Sequence, residues 1–98
     1  MIEIVKSETF DTWLQSLKDR QARVRIQSRI DRLGLGNPGQ YRNLTHGISE
    51  MKIDYGPGYR VYYTMRGALL VVLLCGGDKN SQQADIANAI RIASAWEN

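Results

Sequence analysis

Cysteine and histidine each occur once, as Cys75 and His46, and this scarcity closes several routes to function. A single thiol forms no internal disulfide, and one thiol with one imidazole and no clustered carboxylates assembles neither a zinc nor a di-metal site. A nucleophilic triad fails on the same ground, because His46 has no Ser or Cys in a recognisable elbow, and it reads as a loop residue. Cys75 ends an apolar stretch, where a buried thiol behaves as a small hydrophobe. Long apolar runs are missing too: the longest, Ala68 to Cys75, is well short of the roughly 20 residues that cross a membrane. Met1-Ile2-Glu3-Ile4-Val5-Lys6 lacks the basic stretch, apolar core and cleavage site of a secretory leader, so the expectation is a cytoplasmic protein without a membrane partner. Gly56-Pro57-Gly58 lacks the Lys and Ser/Thr of a phosphate loop, and nothing in the chain calls for a cofactor.

What is present is enough for one hydrophobic core and too little for two: 98 residues, 43% of them hydrophobic, read as a single domain over 1–98. Ile2 and Ile4 alternate with Glu3 and Val5 in a short first or edge strand. Ser7 or Thr9 then caps a helix in which Phe10, Trp13, Leu14 and Leu17 form one stripe. Asp19 caps a second helix, with Ala22, Ile26, Ile30 and Leu33 on its apolar side, and Gly34 to Gly39 stops it. The two make a helical hairpin. The stretch from Gly36 to Gly47 reads as a loop.

From Ile48 the period becomes two, with Ile48, Glu50, Lys52 and Asp54 facing one way and Met51 and Ile53 the other. Tyr55-Gly56-Pro57-Gly58 is a turn, Tyr59 to Met65 a second strand, and Ala68 to Cys75 a central strand buried on both faces, ended by Gly76-Gly77. Asn80 or Ser81 caps a last helix carrying Ile86, Ala89, Ile90, Ala93 and Trp96. The expected fold is α+β: an N-terminal strand, a two-helix hairpin, a three-stranded antiparallel meander and a C-terminal helix, with the helices on one face of the sheet.

Net charge is only +3, but its distribution is uneven. Lys18, Arg20, Arg23, Arg25, Arg29 and Arg32 crowd one segment against Asp19 and Asp31. This pattern fits a surface for phosphate or an acidic partner, and equally a solvated helix face. A second group, Lys52, Arg60 and Lys79, sits at predicted strand ends where three cations can share a groove. Such a groove suits cleavage of RNA by its own 2′-hydroxyl, which needs extra negative charge on phosphate to be stabilised and a proton to be moved; Lys79 and Asp85 are the titrating candidates. Ordinary cross-strand pairing with Glu50 and Asp54 accounts for the same residues.

Met51 to Tyr63, with its Asp54-Tyr55-Gly56-Pro57-Gly58-Tyr59-Arg60-Val61-Tyr62 turn, followed by Cys75-Gly76-Gly77-Asp78-Lys79, Gln82 and Asp85-Ile86, resembles the RelE/ParE toxin superfamily. The likeness covers nearly the whole chain and is nearest the HigB-like branch of addiction-module killer proteins. It implies the RelE-like fold and a metal-independent, ribosome-dependent mRNA endonuclease acting through Lys52, Arg60 and Lys79. A relative has an aromatic acid/base residue where this chain has Asp85 and a second strand lysine where it has Glu50. Arg20, Arg23, Arg25, Arg29 and Arg32 would grip RNA on the ribosome. The implied partners are mRNA, the ribosome and a cognate antitoxin of helix-turn-helix type, with operator DNA reached only through the antitoxin complex. A ParE-like gyrase inhibitor, or a degenerate toxin that keeps only antitoxin binding, would share the scaffold.

Overall fold

The structure, a computed structural model, describes residues 1–96. Its order is β1 (Glu3–Lys6), α1 (Glu8–Ser16), α2 (Arg20–Gly34), β2 (Tyr41–Asn43), β3 (Ile48–Ile53), β4 (Tyr59–Met65), β5 (Leu70–Gly77), a single 3-10 turn (Lys79–Ser81) and α3 (Gln82–Ala95). The α+β fold class and the order of strand, helical hairpin, meander and C-terminal helix are as the sequence implies. Ser7 starts α1 because its hydroxyl accepts from Phe10 N at 2.9 Å while donating to Leu74 O at 2.6 Å, which ties the helix start to the sheet. Asp19 does the same for α2 by accepting from Ala22 N at 3.2 Å.

Five strands form one sheet in the order β1-β5-β4-β3-β2. The meander β3-β4-β5 is antiparallel, and β1 adds to its β5 edge in parallel, Ile4 opposite Val71. Strand β2 closes the other edge against β3. This strand lies inside the stretch read as a loop, and it escapes periodicity because all three of its residues are exposed.

The helices lie on both faces of the sheet rather than on one. Phe10, Leu14, Ala22, Ile26, Ile30 and Leu33 of the hairpin pack on Met51, Val61, Tyr63, Val71 and Leu73. Across the sheet, Ala89 and Ala93 of α3 cover Ile48, Tyr62, Val72, Leu74 and Cys75. The physical reason is the composition of β4 and β5. Successive side chains alternate between faces, and these strands are apolar at nearly every position, so a helix on one face would leave half of them in water. Phe10, fully buried, illustrates the stabilisation: burying one such side chain is worth about 1.5–3 kcal/mol.

Two further departures bear on the site. Tyr62 pairs with Cys75 and Tyr63 with Leu73, which leaves Leu74 as the extra residue of a β-bulge and turns both Leu74 and Cys75 toward α3. Gly76 and Gly77 do not end β5 but continue it, opposite Val61 and Arg60. They are glycines for room: a methyl group on Gly76 would lie 2.3 Å from the Trp13 ring, and one on Gly77 would lie 1.8 Å from Asp85 Oδ2. The chain then turns on Asp78, whose carboxylate accepts from Asn80 N at 2.8 Å and caps the 3-10 turn, while Ser81 stands at the N-cap of α3 as expected, without a side-chain cap bond to that helix. Among the described residues no helix is long and apolar enough to cross a membrane.

Candidate functional site

Cross-strand register places the first two candidate cations together. Lys52 on β3 is directly opposite Arg60 on β4, and Arg60 is directly opposite Gly77 on β5. Residues opposite one another share a face, and here it is the face that α3 partly covers. The hydrogen bond from Gly58 N to Tyr55 O, 3.1 Å, closes the turn before β4. Gly56 and Gly58 stand at φ 57° and 83°, a region in which a side chain is strained. Arg60 then folds back on its own turn, Nη1 donating to Gly58 O at 3.2 Å.

Lys79 joins this pair from the far side of the turn. A methyl group on Gly58 would lie 3.8 Å from Arg60 Nη1 and 3.9 Å from Lys79 Cβ, so the stem of Lys79 and the guanidinium of Arg60 flank the same glycine. Beside them a cleft of about 460 Å³ is lined by Gln40, Arg42, Glu50, Lys52, Arg60 and Gln82.

Four of these residues were not singled out from sequence as site residues: Gln40, Arg42, Glu50 and Gln82. Glu50 is 4% exposed and is the carboxylate at the floor of the cleft. Its Oε1 accepts from Arg42 Nε at 2.7 Å, and its Oε2 accepts from Gln82 Nε2 at 2.9 Å and lies 3.6 Å from Arg60 Nε. Burial alone would raise its pKa, but the hydrogen bond from Arg42, with the Tyr62 hydroxyl and Gln82 alongside, outweighs that and holds it below the usual carboxylate range. With both oxygens engaged, Glu50 is a counter-ion that joins β2, β3, β4 and α3 and fixes where Arg60 points. Arg60 Nε and Tyr62 Oη are buried without a hydrogen-bond partner. Burial, then the Glu50 carboxylate, raises the Tyr62 phenol far above its ordinary value.

Asp85 lies apart from the cleft lining. Its carboxylate rests on the backbone of Gly77 and accepts from Ser81 Oγ at 2.5 Å, two strands over from Glu50 at the cleft floor. Cys75 is buried under the same turn of α3, its thiol donating to Asp85 O at 3.3 Å, and burial pushes its pKa up to about 12. His46 is an exposed loop residue at φ 60°.

The α2 arginines divide. Arg29 donates to Lys52 O at 2.7 Å and to Pro38 O and Gln40 O at 3.0 Å each, which fastens the loop before β2 to the end of β3. Burial, then Arg32 nearby, lowers its pKa. Arg23 donates to Leu17 O at the end of α1. Arg25 lies over the Tyr55 ring, 4.6 Å from its centre. Arg20 and Arg32 are exposed.

A small α+β domain with a positively charged cleft at its strand ends is thus the class that fold and site define. Over residues 12–96 the chain matches the family described as phage-derived, Gp49-like proteins. It is also similar to an uncharacterized protein of Haemophilus influenzae, 47% identical over 92 residues that cover 94% of this chain and 93% of that one. The chain belongs to the Gp49-like family, a toxin-like family related to RelE/HigB-type addiction modules.

Proposed function

We propose that this protein is the toxin of a type II toxin-antitoxin pair, of the HigB-like branch, and that it cuts mRNA on the ribosome without a metal. What supports the reading, beyond family, is one juxtaposition: Lys52 and Arg60 face each other across adjacent strands, and the stem of Lys79 flanks Gly58, on which the Arg60 guanidinium also lies. In the reaction proposed, the 2′-oxygen attacks the adjacent phosphorus and releases its proton to water. The bond from phosphorus to the 5′-oxygen breaks, and that oxygen leaves with a proton taken from water. The products are a 2′,3′-cyclic phosphate and a 5′-hydroxyl. Arg60 and Lys79 stabilise the charge that builds on the phosphate, and Lys52 orients it.

A cognate antitoxin, a helix-turn-helix protein in this reading, holds the toxin silent in the cytoplasm, and operator DNA is met only through that complex. The test is a reconstituted one. Purified protein is added to ribosomes programmed with an end-labelled mRNA, and the new ends are analysed. Cleavage leaving a cyclic phosphate is expected, reduced by about 10²–10³ in Arg60→Ala, the usual cost of removing one preorganised donor. Lys79→Ala, at an exposed residue, gives a second variant whose folding is not in question. Intact mRNA with the wild-type protein would overturn the reading.

A further inference from the structure

The outer side of α2 carries positive charge that the rest of the fold leaves uncompensated. Arg25, Ser28, Arg29 and Arg32 fall at i, i+3, i+4 and i+7 and so share one face. With Ile53 and Asp54 they line a hollow of about 240 Å³. Among the described residues the ion pairs within 4.0 Å are those of Arg42 and Arg60 with Glu50, so none of these three arginines is paired with a carboxylate, Asp54 at the rim included. Asp31, on the same helix, takes the Gln27 amide at 3.0 Å instead.

Within the hollow the arginines have different tasks. Arg29 is engaged by three backbone carbonyls and forms a wall. Arg25 is held in place by the Tyr55 ring, and that ring is fixed in turn by its hydroxyl donating to Asp19 Oδ2 at 3.1 Å. Arg32 is exposed, as is Ser28 between them. Arginine presents a planar fork of donors that matches phosphate oxygens, so two of them with a hydroxyl between is an arrangement suited to a phosphodiester.

Position relates this hollow to the cleft. Arg29 Nη1 reaches the carbonyl of Lys52, whose side chain lies in the cleft on the other face of the sheet. The end of β3 is therefore a ridge with a cationic cleft on one side and a cationic hollow on the other. We infer that the hollow is a second phosphodiester subsite, where Arg25, Ser28 and Arg32 grip the single-stranded RNA lying in the cleft at a phosphate further along the strand. The inference rests on the RNA reading of the cleft, and it separates Arg25 and Arg32, which touch RNA, from Arg29, which shapes the site.

Its test is the salt dependence of binding to a fluorescein-labelled 2′-O-methyl oligoribonucleotide, which lacks the attacking hydroxyl. For single strands the slope of log affinity against log salt falls by about 0.7 for each phosphate that is no longer neutralised. Arg25→Gln and Arg32→Gln should each lower it by about that amount and the double variant by about 1.4, while Lys6→Gln, at an exposed residue on the opposite sheet edge, leaves it unchanged. An unchanged slope in the double variant overturns the inference, as does an equal fall in Lys6→Gln, which would mean diffuse charge. A fall in Arg60→Ala alone keeps RNA in the cleft and removes the second subsite. A fall in the double variant from a protein that leaves mRNA intact on ribosomes keeps the subsite and removes the endonuclease reading. Weakened antitoxin binding in the double variant with an unchanged RNA slope would give the hollow to a protein partner and overturn the inference.

Discussion

Replacing Arg29 by Lys keeps the positive charge and removes the fork, which separates a shaping role from a phosphate-binding one. The wild-type guanidinium makes three hydrogen bonds to carbonyls, at 2.7, 3.0 and 3.0 Å, two of them part-buried and one at the surface. The loop also closes onto it: a methyl group on Gly39, at φ 66°, would lie 2.9 Å from Arg29 Nη2. An ammonium on a shorter stem reaches one of those carbonyls. Two bonds then disappear, at about 1 kcal/mol each, so about 2 kcal/mol of stability goes with them. In a domain of this size each kcal/mol shifts Tm by about 4–8 °C, which predicts a fall of about 8–16 °C. The same loosening should reach the β2 edge, since Pro38 and Gln40 lead into it, and Arg42 on β2 is bound to Glu50 in the cleft. Thermal unfolding followed by circular dichroism measures the first effect, and faster amide exchange at Tyr41 to Asn43 measures the second. A Tm within about 2 °C of wild type would refute the reasoning and return Arg29 to the surface cations.

Other perturbations probe the frame of the site. Gly77→Ala places a methyl group 1.8 Å from Asp85 Oδ2 and 2.7 Å from Ser81 Oγ, so it should push the start of α3 off the sheet and cost about 1–3 kcal/mol in urea unfolding; Gly77→Ala with Asp85→Ala should recover much of that. Glu50 has a folded pKa below its unfolded value, so the stability it contributes is present above the ordinary carboxylate pKa of about 4.3 and is lost as pH falls through the depressed value. Glu50→Gln should flatten that acid limb in a series of Tm against pH, and an unaltered limb would refute the assignment. The Cys75 thiol, buried and with its pKa pushed up to about 12, should resist iodoacetamide in the native protein and react once urea unfolds it.

The periodic elements could be read before any coordinates, because Phe10 with Leu14, Ile26 with Ile30, and Met51 with Ile53 repeat at the spacing of the structure that buries them. What could not be read depends on contacts between distant parts of the chain. Strand β2 has three exposed residues and no pattern; its place is fixed by Arg29 from α2 and by Arg42 meeting Glu50. The apolar stripe of α3 announces that it packs on the sheet without saying on which face. The clue lay elsewhere, in β4 and β5, where Tyr62, Val72 and Leu74 needed cover that the hairpin side cannot give. Gly76 and Gly77 look like punctuation and are instead clearance for Trp13 and Asp85. In the site, the pairing of Lys52 with Arg60 followed from strand register once the turn was recognised, and Glu50 was legible as a cross-strand partner of Arg60, whereas its ties to Gln82 and Arg42 required knowing that those residues arrive from two other elements.

The most direct measurement of the central claim is made in a growing bacterium, with this protein induced alone and new mRNA 5′ ends mapped across the transcriptome beside an Arg60→Ala control. New ends within translated frames that vanish in the control are the predicted result; growth arrest with intact mRNA and an SOS response would contradict it and point to gyrase.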